Sequence, residues 1–138
     1  MIVRGLTHVA LRGHTEQVLG VGFVAADTED LYSEQDVLYS CALDNTLRSW
    51  DRMSLECSFV LKETVDTEMS CFGILARLRA IVTGNDDGSL RLWDLASGKH
   101  SISKGHSNTV SALVTCSTGN PYDETSCANL IFTGGFDG

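Results

Sequence analysis

Apolar residues along this chain come in short runs broken at turn-forming residues, without the sustained three-and-four spacing of an amphipathic helix. The runs predict strands at 6–11, 18–24, 37–43, 46–50, 58–61, 69–75, 80–83, 89–93, 100–103, 110–116 and 130–133. Several, such as VLGVGFV at 18–24 and NLIF at 129–132, are nearly continuous in apolar residues, the pattern of a sheet covered on both faces. Asp44-Asn45, Asp87-Gly88 and Asp137-Gly138 fall at the ends of runs, where Asn and Gly tolerate the positive φ of a tight hairpin turn. Helix has little support, so the expected class is all-β.

The runs repeat. Trp50-Asp51 and Trp93-Asp94 stand 43 residues apart, closing the segments SCALDNTLRSWD and TGNDDGSLRLWD. Asp44 and Asp87 each precede their tryptophan by six residues, Ser40 and Thr83 by ten, Leu47 and Leu90 by three, and Arg48 and Arg91 by two. The final TGGFDG places Thr133 and Asp137 at the same four-residue spacing, so a third copy has begun. Gly13-His14 and Gly105-His106, each followed four residues later by valine (Val18, Val110), mark the other end of the unit.

A unit running from Gly-His to Trp-Asp at a period of about 40 to 45 residues resembles the WD40 repeat family. The resemblance covers nearly everything from Leu6 to Gly138 and implies four-stranded antiparallel propeller blades. Residues 1–138 then form a single partial propeller: a closure-type leading strand at 6–11, blades at 18–61 and 69–103, and a partial blade at 110–138. A family propeller commonly has seven blades, so this length does not close a ring. Identical copies do not sum to a ring of about seven or eight four-stranded blades either.

His14, Ser40 and Asp44 have the composition of a nucleophilic triad, which makes a Ser/His/Asp hydrolase the enzymatic alternative. No GxSxG elbow is present, and the set recurs in part as Thr83/Asp87 and as His106/Thr133/Asp137. A structural network repeats with a structural period, whereas an active site has no reason to. The family resemblance implies that network, a buried hydrogen-bond chain from tryptophan through serine or threonine and histidine to aspartate. It takes Trp50, Ser40, His14 and Asp44 in the first blade, Trp93, Thr83 and Asp87 in the second, and His106, Thr133 and Asp137 in the third. The second blade reads Thr64-Val65 where Gly-His should stand, which predicts a network without histidine and a looser loop. The same resemblance places Gln17, Leu43, Glu68, Asp86, Thr109 and Phe136 on one face as candidate partner contacts, an apolar leucine and phenylalanine among them suiting a protein or peptide.

Composition narrows the function classes. The formal charge of −8 argues against duplex DNA or an anionic membrane as main partner, since both need a surplus of Lys and Arg. No run approaches the ~18 apolar residues of a spanning helix. Acidic residues gather at Asp27, Glu29, Asp30, Glu34 and Asp36, which read as a solvated loop. Cys41, Cys57, Cys71, Cys116 and Cys127 show no CxxC pair, no zinc spacing and an odd count, so they read as small buried residues in a reducing compartment. His8 and His100 fall in outer-strand positions without metal-ligand spacing. The expectation is an intracellular, cytoplasmic, non-enzymatic interaction scaffold without cofactor or metal. Its open blade edges are filled by the rest of the propeller or, alternatively, by a second chain that completes a split ring.

Overall fold

The computed structural model describes residues 9–24, 37–51, 53–62, 66–75, 78–118 and 128–138. They form ten strands: β1 (Val18–Val24), β2 (Val37–Ala42), β3 (Thr46–Trp50), β4 (Cys57–Lys62), β5 (Met69–Leu75), β6 (Ala80–Asn85), β7 (Ser89–Asp94), β8 (His100–Lys104), β9 (Val110–Thr118) and β10 (Ala128–Gly135). Two four-stranded antiparallel sheets, β1-β2-β3-β4 and β5-β6-β7-β8, are followed by the two-stranded β9-β10. No α-helix occurs among the described residues.

Turn chemistry sets these boundaries. Asn45 and Gly88 take positive φ, 57° and 79°, and each closes its hairpin by donating an N–H, to Ala42 and Asn85 respectively. A methyl group at Gly88 would strike the His106 carbonyl of the next repeat, so glycine is required there for space as well as for φ. The aspartate of each Trp-Asp pair builds the following turn. Asp51 Oδ1 accepts N–H bonds from Met53 and Ser54 (2.9 and 2.6 Å), and Asp94 Oδ1 from Ala96 and Ser97 (2.8 and 3.3 Å). Those bonds hold both carboxyls below their usual range.

The sheets stack through their first strands, β1 on β5 and β5 on β9. Val24, Tyr39, Cys41, Leu47, Met69, Ile81 and Trp93 form the core between the first and second sheets, and Leu75, Ala80 and Val82 a second one toward β9. Every residue of β6 is buried, whereas β8 is exposed from Ser101 onward. The near-continuous runs at 18–24 and 129–132 depart from the expectation of cover on both faces: they lie in β1 and β10, where Val21, Phe23 and Phe132 are exposed because only one face of each outer sheet has a described neighbour.

One further sequence expectation changes, and the leading strand falls largely outside the described residues. Val9, Arg12's neighbour Leu11 and the residue between them belong to no strand, because a strand needs a partner backbone and no described strand pairs with them. The rest of the expected leading strand at 6–11, with His8, lies outside the described residues, as do the acidic segment at 27–36, the Thr64-Val65 departure and Cys127. The cysteines are not uniformly buried: all four described ones are free, but only Cys41 is buried and Cys116 is exposed. Burial, with the charges of Cys71 and Asp44, pushes the Cys41 thiol up to about 12, which leaves it an inert packing residue.

Candidate functional site

The first repeat assembles a continuous side-chain chain. Trp50 Nε1–H donates to Ser40 Oγ (2.8 Å), the hydroxyl donates onward to His14 Nε2 (2.7 Å), and His14 Nδ1–H reaches Asp44 Oδ2 (3.0 Å). This direction is the one in which every group finds a partner. Asp44 also accepts from the Thr46 hydroxyl (2.6 Å) and from the Thr15 and Thr46 amides (3.0 Å each). Burial pushes the Asp44 carboxyl up, but the bonds from Thr46, Thr15 and His14 outweigh it and hold the group at about 2. Gly13 leaves room for Arg48 and Trp50 against the backbone beside His14.

The second repeat keeps the two ends of this chain and lacks its middle. Trp93 Nε1–H donates to Thr83 Oγ1 (3.0 Å), and Asp87 Oδ1 accepts from the Ser89 hydroxyl (2.5 Å) and amide (2.9 Å). No histidine bridges Thr83 and Asp87 among the described residues. In the third repeat His106 joins Thr133 Oγ1 (3.0 Å) to Asp137 Oδ1 (2.8 Å). Asp137 is held at about 2, chiefly by the Ser107 amide and the His106 ring. Thr46 and Ser89, each two residues past the turn aspartate, are members that the sequence comparison passed over, although their common offset was visible in it.

The candidate contact residues come together in pairs, one per repeat. Leu43 N–H donates to the Gln17 carbonyl (3.0 Å), Asp86 to Glu68 (3.0 Å) and Phe136 to Thr109 (3.1 Å). Each pair sits beside an irregularity in which the second residue of the first strand is skipped, at Leu19, Ser70 and Ser111. Such bulges re-aim the neighbouring side chains. Gln17, Glu68, Asp86 and Phe136 are exposed, Phe136 at 72 %, while Leu43 and Thr109 are half-buried. The pairs are also joined across repeats, by Asn45 Oδ1 accepting from Met69 N–H (3.0 Å) and by the Thr109 hydroxyl donating to the Asp86 carbonyl (3.1 Å).

Ser40 has the hydrogen-bond partners of a triad nucleophile but not its setting. It is 3 % exposed, and its oxygen already accepts the Trp50 indole N–H. No group of three or more His, Cys, Asp or Glu side chains among the described residues is placed to hold a metal ion.

Comparison with known proteins supplies the family. The chain is 31% identical over 117 residues to Autophagy-related protein 16 of Arabidopsis thaliana, a match covering 84% of this chain and 21% of that protein. The chain therefore spans about a fifth of the length of that curated relative. Its fold is that of the RRP9 WD40 repeats (TM-score 0.61, 20% identity, 75% of this chain and 31% of that one) and of U3-55K (TM-score 0.62, 18% identity, 92% and 42%). The described residues of this chain form two four-stranded propeller blades and part of a third, without a closed ring. The WD domain, G-beta repeat description fits residues 5–51 and 63–94, more than half of the chain, and with the Gly-His, Ser/Thr, Asp and Trp-Asp positions so placed, this protein is a member of the WD40 repeat family.

Proposed function

We propose that this chain is a non-enzymatic scaffold segment, acting in a reducing intracellular compartment, that binds a protein or peptide on the rim formed by Gln17–Leu43, Glu68–Asp86 and Thr109–Phe136. The carrying observation is the rim's threefold regularity. The same backbone bond, beside the same bulge, presents a pair of side chains from each blade. Backbone held this firmly orders contact residues before a partner arrives, which lowers the entropic cost of binding. Phe136 is the apolar anchor, and the exposed Glu68 and Asp86 beside it repel anionic partners, in line with the charge of −8.

The hydrogen-bond chains are supports for this rim. Those of the first and third repeats end on an aspartate that ties the loop before the blade to a hairpin turn, and Ser40 is enclosed and already bonded. A photo-crosslinking residue at Phe136 in the protein expressed in its own cells is expected to trap a specific protein, and Phe136→Asp to weaken that association at least about tenfold, the scale of one buried aromatic anchor. Unchanged association after substitution of all three pairs would overturn the rim assignment. Covalent labelling of Ser40 by a fluorophosphonate probe on the folded protein would overturn the non-enzymatic one.

A further inference from the structure

Ala42, Asn85 and Gly135 hold one position in three repeats. Each precedes its turn aspartate by two residues and pairs with the first residue of its first strand, Val18, Met69 or Val110. In the third repeat the position is glycine, and a methyl group there would lie 2.8 Å from His106 Nδ1 and 2.7 Å from Asp137 Oδ1, at the point where those two groups meet. In the first repeat it is Ala42, buried and with nothing beyond its methyl group. Both repeats that carry a histidine therefore keep this position small. The second repeat reads Thr64-Val65 where the others read Gly-His, and it alone carries a longer side chain here, the completely buried Asn85.

Asn85 makes toward the turn the contact that the histidine makes in the first repeat. There His14 Nδ1 meets the Thr46 hydroxyl (3.1 Å), which donates to Asp44 Oδ1 (2.6 Å). In the second repeat Asn85 Nδ2 donates to the Ser89 hydroxyl (3.3 Å) and carbonyl (3.0 Å), and that hydroxyl donates to Asp87 Oδ1 (2.5 Å). The bond to the Ser89 carbonyl settles which end of the amide carries the protons. Asn85 Oδ1 has no hydrogen-bond partner among the described residues, so the link runs to the aspartate and not onward to Thr83. A buried amide oxygen left unmet costs stability, and an apolar residue would fill the same space without that cost. The amide is thus there for its N–H bonds.

We infer that Asn85 is the positioning residue of the second blade: it occupies the slot that a histidine fills in the first and third repeats, and through Ser89 and Asp87 it holds the turn that presents the Glu68–Asp86 pair. The slot takes one occupant, either an imidazole beside Ala or Gly, or an amide reaching in from the strand itself. Asp86 lies between Asn85 and Asp87, donates its N–H to the Glu68 carbonyl (3.0 Å) and accepts the Glu68 N–H at Oδ1 (3.0 Å), so a fixed turn fixes both members of the pair. That this pair touches a partner rests on the rim reading, whereas the assignment of the slot does not.

Amide hydrogen exchange in the full protein, read by mass spectrometry over short peptides with no partner bound, tests the slot in two blades, and circular dichroism confirms the sheets of each variant. Asn85→Ala is expected to speed exchange over 84–89 about tenfold or more while leaving 90–95 unchanged. Exchange that rises equally in both segments, or in neither, would make Asn85 a space-filler and overturn the inference. The converse swap is made in the first blade. His14→Ala is expected to speed exchange over 43–47 by a similar factor, and adding Ala42→Asn to it to recover most of that loss, because the new amide reaches Thr46 as Asn85 reaches Ser89. A double variant exchanging as fast as His14→Ala, or faster, would show that position 42 does not open on the slot and would overturn the inference too. Failure of the rim reading looks different: partner association stays unchanged while these exchange results hold.

Discussion

The first and second blades share a strand order, a turn aspartate and a Trp-Asp pair, yet they hold their tryptophans differently. In the first, Trp50 is tied through Ser40 and His14 to Asp44, with His14 and Asp44 each 6 % exposed. In the second, the bond from Trp93 stops at Thr83, and the indole is covered by His100 from the adjacent strand, 4.5 Å between ring centroids. The second blade has packed neighbours on both sides, and Trp93, Thr83 and Arg91 are all 1 % exposed or less. Among the described residues, the first has a blade on one side only. A blade can therefore be fixed either by layers on both faces or by a polar chain through its own sheet, and the histidine is dispensable where the layers do the work.

The largest expected effect breaks the packed arrangement. Trp93→Ala removes an indole enclosed on both faces and should cost about 3 to 5 kcal/mol, read from the urea midpoint. Trp50→Ala should cost less, because one side of its blade is open. Equal losses would mean that the open face contributes as much as the covered one, and the contrast drawn above would fall.

Hydroxyl removal sharpens the same contrast at a smaller scale. Ser40→Ala strands two groups, the Trp50 N–H and His14 Nε2, and should cost about 2 to 3 kcal/mol. Thr83→Val strands only the Trp93 N–H while keeping the volume, and should cost about 1 to 2 kcal/mol. Equilibrium unfolding of the two variants side by side measures the order, and a larger loss in Thr83→Val would show that the histidine adds nothing to the chain it completes.

Much of this contrast could be read before any coordinates. The Trp50/Trp93 alignment found the repeat, and strands begin at Val18, Thr46, Met69, Ser89, His100 and Val110, where apolar runs follow turn residues. Those signals are local, since a turn needs its own Asn or Gly and a strand its own apolar run. What the sequence hid is relational. Nothing in VLGVGFV distinguishes Gly20 and Gly22, which take the Phe72 and Ile74 side chains, from the exposed Val21 and Phe23 until the facing blade is in place. Cys116 looks like a small core residue on its own, and only the stacking puts it on the outside.

The smallest expected effect concerns acid. Asp44 is held at about 2 against an ordinary carboxyl value of 3.8, so the folded state gives up its proton more readily than the unfolded one. The contribution to stability is therefore complete above the ordinary carboxyl value and is lost as pH falls from about 4 toward about 2, amounting to about 1 kcal/mol once solvent screening at the propeller rim is allowed for. Urea midpoints measured across that window should fall in the wild type, and Asp44→Asn should flatten the fall while starting from a lower value at neutral pH. Asp87 is also held down, its burial outweighed by the Ser89 bonds and the nearby charges of Arg91 and Lys104, but without a histidine. Asp87→Asn should accordingly flatten the fall less than Asp44→Asn does. If the two variants flatten it equally, the imidazole is a spacer between hydroxyl and carboxylate, and the first blade's advantage lies in geometry alone.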